Sequence, residues 1–460
     1  MKTNSPKNGP LHDVIAVGVG PFNLGLACLS ATIPGLRGLF VDQKPDFDWH
    51  PGLLFADAHM QTPFLADLVT LADPTHPLSF LNYIKQQGRI YSFYIRENFF
   101  LLRREYLHYC RWAAAQLDNI RWNTCVEAIH HDAGQGCYVV QMRDVRRGSC
   151  HSAQARCLVL GTGPAPWWPA CCEQEIQDDA SPVYHASSYL DHRAALRALP
   201  AVTLLGSGQS AAEIFVDLLQ DIESRNQDIV WVTRAPRFAP LEYTKLTLEM
   251  TSPEYIRYFH ALPAVLRDGL LGRQGQLYKC INGSLINHIH ELLYQKRLVL
   301  DAQGQELSRR VRLFSNSELR TVHRTAQHLV LGLHHREQQG DYALETAGLI
   351  LATGYRDRIP PFLAPIASRL RLDEQGRLAV TSNYAIDRAG CEIFVQNTAA
   401  HCHGFATSDL GMACHRNALI IKALTGVEHY PIEERIAFQE FGIPADRAVP
   451  PRPARPGVRS

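Results

Sequence analysis

Two stretches of the chain share one pattern of apolar and polar positions. Asp13-Val-Ile-Ala-Val runs into Gly18-Val-Gly20-Pro21-Phe-Asn-Leu, and Val202-Thr-Leu-Leu runs into Gly206-Ser-Gly208-Gln209-Ser210-Ala-Ala-Glu213. Each is a short apolar run, a Gly-x-Gly turn and a helix-compatible segment, which predicts the strand–turn–helix unit of a parallel α/β fold. The two lie about 190 residues apart, too far for one mononucleotide unit to hold both. The fold class expected is therefore α/β, with two dinucleotide-binding (Rossmann-like) domains. The first should cover 12–190 and resume over 340–430; the second should cover 195–335. Helical patterns are expected over 240–330, such as Ser284-Leu-Ile-Asn-His-Ile-His-Glu-Leu-Leu, and predict a smaller, mostly helical substrate-binding insertion over about 240–300, roofing a pocket. The apolar segment from Ala343 to Tyr355 reads as a buried strand returning to the first domain. No internal repeat shows beyond the duplicated nucleotide unit. Residues 1–11 read as a flexible lead-in, and the Pro- and Arg-rich stretch 444–460 as a flexible tail.

Composition narrows the partners. A formal charge of +1 gives no one-sign field of the kind that holds nucleic acid. No stretch approaches the roughly 20 apolar residues of a membrane span, and the polar N-terminus lacks the apolar core of a signal peptide. The cytoplasm is the compartment expected. The 12 cysteines are scattered, without the density of a disulfide scaffold.

The glycines bring chemistry. A Gly-x-Gly turn lets the backbone approach a pyrophosphate, while the following helix offers N–H donors and a favourable dipole. Gly18 and Gly20 take that role at the first site, with Asn23 where a third glycine is usual. Asp42 ends the next apolar segment, Leu39-Phe-Val-Asp, where an acid accepts hydrogen bonds from a ribose. At the second site the equivalent strand, Ile229-Val-Trp-Val-Thr-Arg234, ends in a base, with Arg237 close behind. A cation there suits a 2′-phosphate, so NADPH is expected over NADH. Two such domains in one chain suggest a resident flavin and a visiting nicotinamide.

The remaining motifs carry a family likeness. Gly18-Val-Gly20-Pro21-Phe-Asn-Leu, Trp49-His50-Pro-Gly, Met60-Gln61-Thr, Phe80-Leu-Asn-Tyr, Arg104-Glu-Tyr, Gly161-Thr-Gly, Gly206-Ser-Gly208-Gln209-Ser210 and Leu351-Ala-Thr353-Gly354-Tyr follow in order. The chain, from about 12 to about 425, resembles the microbial N-hydroxylating flavoprotein monooxygenases, the ornithine, lysine and diamine hydroxylases of hydroxamate siderophore pathways. The leading acid of the family's Ala-Thr-Gly signature is missing, since Ala347 stands there. The resemblance implies FAD and NADPH as cofactors, and O2 delivered to a primary amine through a flavin C4a-hydroperoxide. It implies that Pro21, Trp49, His50, Met60 and Gln61 lie at the flavin, that Arg104 holds the flavin or its domain, and that Thr353 and Gly354 belong to the cofactor site. Gln209 and Ser210 would meet the NADPH phosphates and Arg234 the 2′-phosphate. Gln61 and Asn282 would hydrogen-bond around the reacting centre. A homo-oligomer, a tetramer by analogy, is implied too.

The substrate calls for a closer reading. Where the family's amino-acid hydroxylases carry a carboxylate-binding lysine, this chain has Ala66; where the ornithine enzymes have an asparagine, it has Leu248. Asn282 retains a second family asparagine. The loss of carboxylate anchors with the flavin motifs kept implies a diamine, cadaverine or putrescine, as in desferrioxamine and alcaligin biosynthesis. Asp67, Glu242 and Asp409 are candidates for its second ammonium. L-Lysine or L-ornithine hydroxylation is the alternative. A pyridine-nucleotide disulfide reductase would need a Cys-x-x-Cys or Cys-x4-Cys pair, which the sequence lacks. A flavin-binding sensor without activity is a third reading. No metal is expected: His401-Cys402-His403, with Cys414 and His415 beyond, fits no standard ligand spacing, and the vicinal Cys171-Cys172 lacks redox-pair geometry.

Overall fold

The computed structural model describes residues 10–444 and 447; most of the expected lead-in and tail lies outside them, and Leu11, placed in the lead-in, already begins the first strand. The fold is α/β, and each Gly-x-Gly unit heads its own parallel sheet. Strand Leu11–Val17 pairs in parallel with Gly38–Val41 on one side and Cys150–Leu160 on the other. Ile120–Arg121 extends the first edge. On the far side, Thr124–Asp132 and Cys137–Asp144 join as antiparallel hairpin strands. Helix Pro21–Ala31 buries every residue from Pro21 to Ser30, because it lies between this sheet and the helices Arg103–Ala114 and Ala413–Thr425. A helix apolar all round is stable only when covered all round.

The second sheet is wholly parallel, in the order Val183–His185, Gly348–Leu351, Ala201–Leu205, Asp228–Val232, Val311–Phe314. Its helix Gln209–Leu219 is buried from Ala211 to Leu219 and packs on the long helix Gly283–Ala302. Trp231, fully buried on Asp228–Val232, donates its indole N–H to the Gly206 carbonyl at 2.6 Å, which fixes the second glycine turn from below.

Three expectations need correction. The segment Ala343–Tyr355 does not return to the first domain: Gly340–Thr346 belongs to an antiparallel sheet with Ser317–Arg324 and Leu329–His335, and Gly348–Leu351 fills the middle of the second sheet. The returning strand is Ile393–Val395, paired with Leu158–Leu160. An apolar run such as Gly-Leu-Ile-Leu suits the interior of either parallel sheet, and periodicity carries no address. The crossings between sheets are also displaced from 190 and 340. A short ribbon of Ala165–Pro166 against Tyr355–Arg356 marks both, and Val183–His185 already belongs to the second sheet. Finally, the helical patterns end at Arg310; the segments Val311–Phe314 and Ser317–Arg324 are strands. No helix among the described residues is long and apolar enough to cross a membrane.

Candidate active site

Each glycine turn is held by its surroundings. Gly18 has φ +85°, and a Cβ there would lie 2.6 Å from the Gly161 carbonyl. Gly20 faces open space and caps helix Pro21–Ala31, whose first turn has no side-chain cap and no acid. Its N–H groups are left for an anion. Asn23 is buried and donates from Nδ2 to the Gly18 carbonyl at 2.8 Å. A Cβ on Gly161 would meet that amide at 2.3 Å, so the room usually made by the third glycine is made from the opposite strand. Asp42 accepts from the Val19 N–H at 2.7 Å and the Lys44 N–H at 2.9 Å, and a carboxylate with about four acceptor sites retains capacity for a ribose. In the second unit Gly206 has φ +136°, Gly208 caps helix Gln209–Leu219 without a side-chain cap, and Arg234 and Arg237 stand exposed beyond the strand.

Between the two units lies a cavity of about 690 Å³. Trp49, His50, Met60, Gln61, Gln209, Ser210, Ala66, Leu248 and Asp409 all line it, so residues from four separated segments meet there. Trp49 and His50 contact edge to face at 4.7 Å. The His50 ring opens to the cavity but is walled by protein; that burial, with Arg103 and Lys44 nearby, pushes its pKa down to about 4, so the imidazole is neutral. The Nε2 of Gln61 is buried with no hydrogen-bond partner among the described residues, and Tyr243 donates to the Gln61 carbonyl at 3.4 Å. A free buried donor at the wall, in a cavity also lined by Phe22 of the glycine-capped helix, is what a planar, acceptor-rich ring such as isoalloxazine would satisfy.

Other named residues go elsewhere. Asn282 and Arg104 line an adjoining cavity of about 710 Å³, which Met60, Gln61 and Gln209 also wall. Asn282 caps helix Gly283–Ala302: its Oδ1 accepts from Ser284 N and Oγ at 2.9 and 2.6 Å, and its own N–H donates to Gln209 Oε1 at 2.9 Å. It is not among the lining residues of the cavity that holds Ala66, Leu248 and Asp409. Thr353 donates to the Trp167 carbonyl, and the Gly354 carbonyl accepts from Trp167 N–H at 2.9 Å and pairs with His185 Nε2 at 3.0 Å. Both tie the crossing ribbon, and it is Tyr355 that faces the cavity. Asp67 is spent: buried, it accepts from Val69 N, Thr70 N and Oγ1, and Phe80 N at 2.6–2.9 Å, and it does not line the cavity.

The sequence reading missed Arg103. Arg104 is exposed, 3.5 Å from the Leu54 carbonyl. Arg103 turns inward, lines the main cavity and makes a two-pronged pair with Glu213 at 2.8 and 2.7 Å. Gln209 donates to the same carboxylate at 2.8 Å. The signal was present: Arg103, Leu107, Cys110 and Ala114 share the buried helical face, while Arg104, His108 and Arg111 share the outer one.

Among the described residues, His401, Cys402, His403, Cys414 and His415 form no group that could hold a metal ion. His401 Nε2 pairs with the Leu378 carbonyl at 3.0 Å, and His403 stacks on Tyr384 at 4.4 Å. No cysteine among the described residues lines the cavity between the units, where a disulfide reductase would carry its pair.

The sequence pattern of the L-lysine 6-monooxygenase/L-ornithine 5-monooxygenase family matches residues 10–357. The chain belongs to that family. Within these amine monooxygenases it is 48% identical over 433 residues to a putrescine N-hydroxylase of Shewanella oneidensis, spanning 94% of this chain and 84% of the relative. The FAD-bound crystal structure of the cadaverine monooxygenase from the desferrioxamine pathway of Erwinia amylovora superposes with a TM-score of 0.91 at 51% identity, covering 95% of this chain and 100% of that one. The ornithine N-hydroxylase of Kutzneria sp. 744, solved with reduced FAD, NADP+ and L-ornithine, gives 0.81 at 26% identity over 90% and 99% of the two chains.

Proposed function

We propose that this protein is an FAD- and NADPH-dependent monooxygenase that hydroxylates one primary amine of a diamine for hydroxamate siderophore biosynthesis. The observation that carries the substrate is the charge of the cavity wall. Among its lining residues the sole Lys or Arg is Arg103, already held by Glu213, while two acids, Glu242 and Asp409, are present. An α-carboxylate entering there would leave water and find Ala66 and Leu248. A second ammonium would find Asp409, whose carboxyl burial pushes up from the ordinary range while Gly411 N–H and Arg416 draw it back; an arriving cation would favour its ionised form.

The residues divide the remaining work. FAD fits the first unit, its pyrophosphate on Gly18, Gly20 and the N-terminus beginning at Pro21, its ribose on Asp42 and its ring against Trp49, His50, Met60 and Gln61. NADPH fits the second, on Gly206, Gly208, Gln209 and Ser210, with Arg234 on the 2′-phosphate. Reduced by NADPH, the flavin supplies the activated oxygen; overall, amine, O2, NADPH and H+ give hydroxylamine, NADP+ and water. A free alkylamine has a pKa of about 10.4 and must be neutral to attack. At the flavin end, apolar Met60 and neutral His50 place no negative charge to retain its proton, while Asp409 holds the far nitrogen as ammonium. The wall thus distinguishes the ends of the substrate and aims the neutral one. Cytoplasmic location and a homo-oligomer, a tetramer by analogy, complete this reading.

The test is hydroxylamine formed per NADPH oxidised, measured side by side for cadaverine, putrescine, lysine and ornithine. Both diamines should couple, cadaverine somewhat the better. A lost charged hydrogen bond costs about 1.5–3 kcal/mol and about 1.4 kcal/mol is tenfold, so two missing anchors predict amino acids at least about 100-fold poorer. Coupled turnover of lysine or ornithine with inert diamines would overturn the diamine reading and leave the amine monooxygenase intact.

A further inference from the structure

One wall of the cavity is built on two short helices. Lys245–Leu248 and Pro253–Ala261, with the turn between them, present Thr247, Leu248 and Thr251 to the cavity. A four-residue helix has no stability of its own. Its outer face is occupied by a segment with no regular structure near the end of the chain, residues 434–442. Glu249 accepts from the backbone N–H of Phe438 and Gln439, both at 3.1 Å, and from Gln439 Nε2 at 2.9 Å. Glu254 accepts from the N–H of Ile436 at 2.5 Å and Ala437 at 2.8 Å. Gln439 donates a second bond to the Leu246 carbonyl at 2.6 Å, and Arg257 donates to the Glu434 carbonyl. Phe441 packs edge to face on Tyr255 at 5.1 Å. Tyr255 in turn meets Phe405 at 6.0 Å, and Phe405 lines the cavity four residues before Asp409.

Four consecutive backbone N–H groups, Ile436 to Gln439, thus converge on two carboxylates of the wall that faces the substrate. We infer that Glu249 and Glu254 are positioning residues: by gripping the strap 434–442 they hold the wall of Thr247, Leu248 and Thr251 against the bound amine. The inference rests on the amine-hydroxylase reading and adds to it a device that sets substrate fit without touching substrate. Neither acid touches the glycine turns, so flavin reduction by NADPH should proceed without the grip.

The experiment compares the full-length, flavin-loaded parent with Glu249→Ala/Glu254→Ala and Glu249→Gln/Glu254→Gln. In the alanine pair, amide hydrogen exchange at 436–439 should accelerate at least about tenfold. KM for the diamine should rise about tenfold, and more of the NADPH consumed should end as hydrogen peroxide, because a displaced wall misaligns the amine. Flavin reduction by NADPH should stay within about twofold, a split that general loss of structure would not produce. The glutamine pair retains one carbonyl acceptor per side chain and should fall between; it also carries the comparison if the alanine pair fails to keep its flavin. Unchanged KM and coupling alongside accelerated exchange would overturn the inference, as would KM and flavin reduction failing in equal proportion. If the parent turns over an amino acid and not a diamine, the substrate reading falls, while the variant-to-parent ratio for that amine still decides the role of the strap.

Discussion

At the scale of single residues, position along the chain and accessibility separate look-alikes. Asp67 and Asp409 are both acids near cavity-lining segments, yet Asp67 satisfies four donors of its own loop and Asp409 reaches the cavity. Nothing in the sequence distinguishes them, because capping depends on where the chain folds back. Arg234 presents the opposite case. The role proposed for it rests on its place after a strand, and its exposure tempers the magnitude, since water and salt screen an open ion pair. Arg234→Ala is expected to raise KM for NADPH by about tenfold, the low end of a charged hydrogen bond, and to leave KM for NADH nearly unchanged. Steady-state kinetics with both coenzymes, at low and high salt, measures this. Equal rises for both coenzymes would remove Arg234 from the 2′-phosphate.

At the scale of elements, the two glycines of the first turn do different things. Gly18 holds a left-handed backbone against the Gly161 carbonyl, whereas Gly20 has an ordinary φ of −87° and open space in front. Gly18→Ala should therefore destabilise the protein even without flavin, by about 1–3 kcal/mol for the strained backbone plus the clash. Gly20→Ala should leave the flavin-free protein's melting temperature unchanged and reduce the flavin kept through purification, because on the proposed reading its methyl group would meet only the pyrophosphate. Melting curves of stripped protein beside flavin content separate the two; equal destabilisation would refute the division. These strand–turn–helix units were legible because period and glycine spacing are local properties. So was the inward face of the helix carrying Arg103, had its period been followed. The membership of Gly348–Leu351 in the second sheet was not, since a fully buried strand has no alternation to orient it. The strap was not either: it has no period, and its partners lie about 180 residues earlier.

At the scale of the molecule, the nucleotide units meet through charge. The pair Arg103–Glu213 joins a helix of the first to the glycine helix of the second, with side chains 12% and 8% exposed. Burial alone would push Glu213's carboxyl up, and Arg103 and Gln209 draw it back toward ionisation. Removing one partner of a buried pair strands the other, at a cost of about 3–5 kcal/mol, whereas apolar replacement of both is often neutral. Glu213→Ala is expected to lower the melting temperature of the holoenzyme clearly, and Arg103→Met/Glu213→Leu to recover much of it. Both should slow flavin reduction by NADPH, because Gln209 loses its anchor and the units lose their spacing. Stopped-flow reduction beside calorimetry tests this; full stability with undiminished reduction in Glu213→Ala would show that the pair does not set the geometry.

The ribbon that marks both crossings has a consequence for biosynthesis. The second unit is spliced into the first, so Ile393 finds Leu158 across about 235 positions of chain. A ribosome extending the polypeptide from its N-terminus at about 5–20 residues per second completes the spliced-in unit before it delivers the last strand of the first. During that interval Leu158–Leu160 presents an unpaired apolar edge, the kind of template on which nascent chains pair wrongly. Flavin capture thus waits until Ile393–Val395 has been made, and a chain truncated before Ile393 is expected to keep a finished second unit and an open first one.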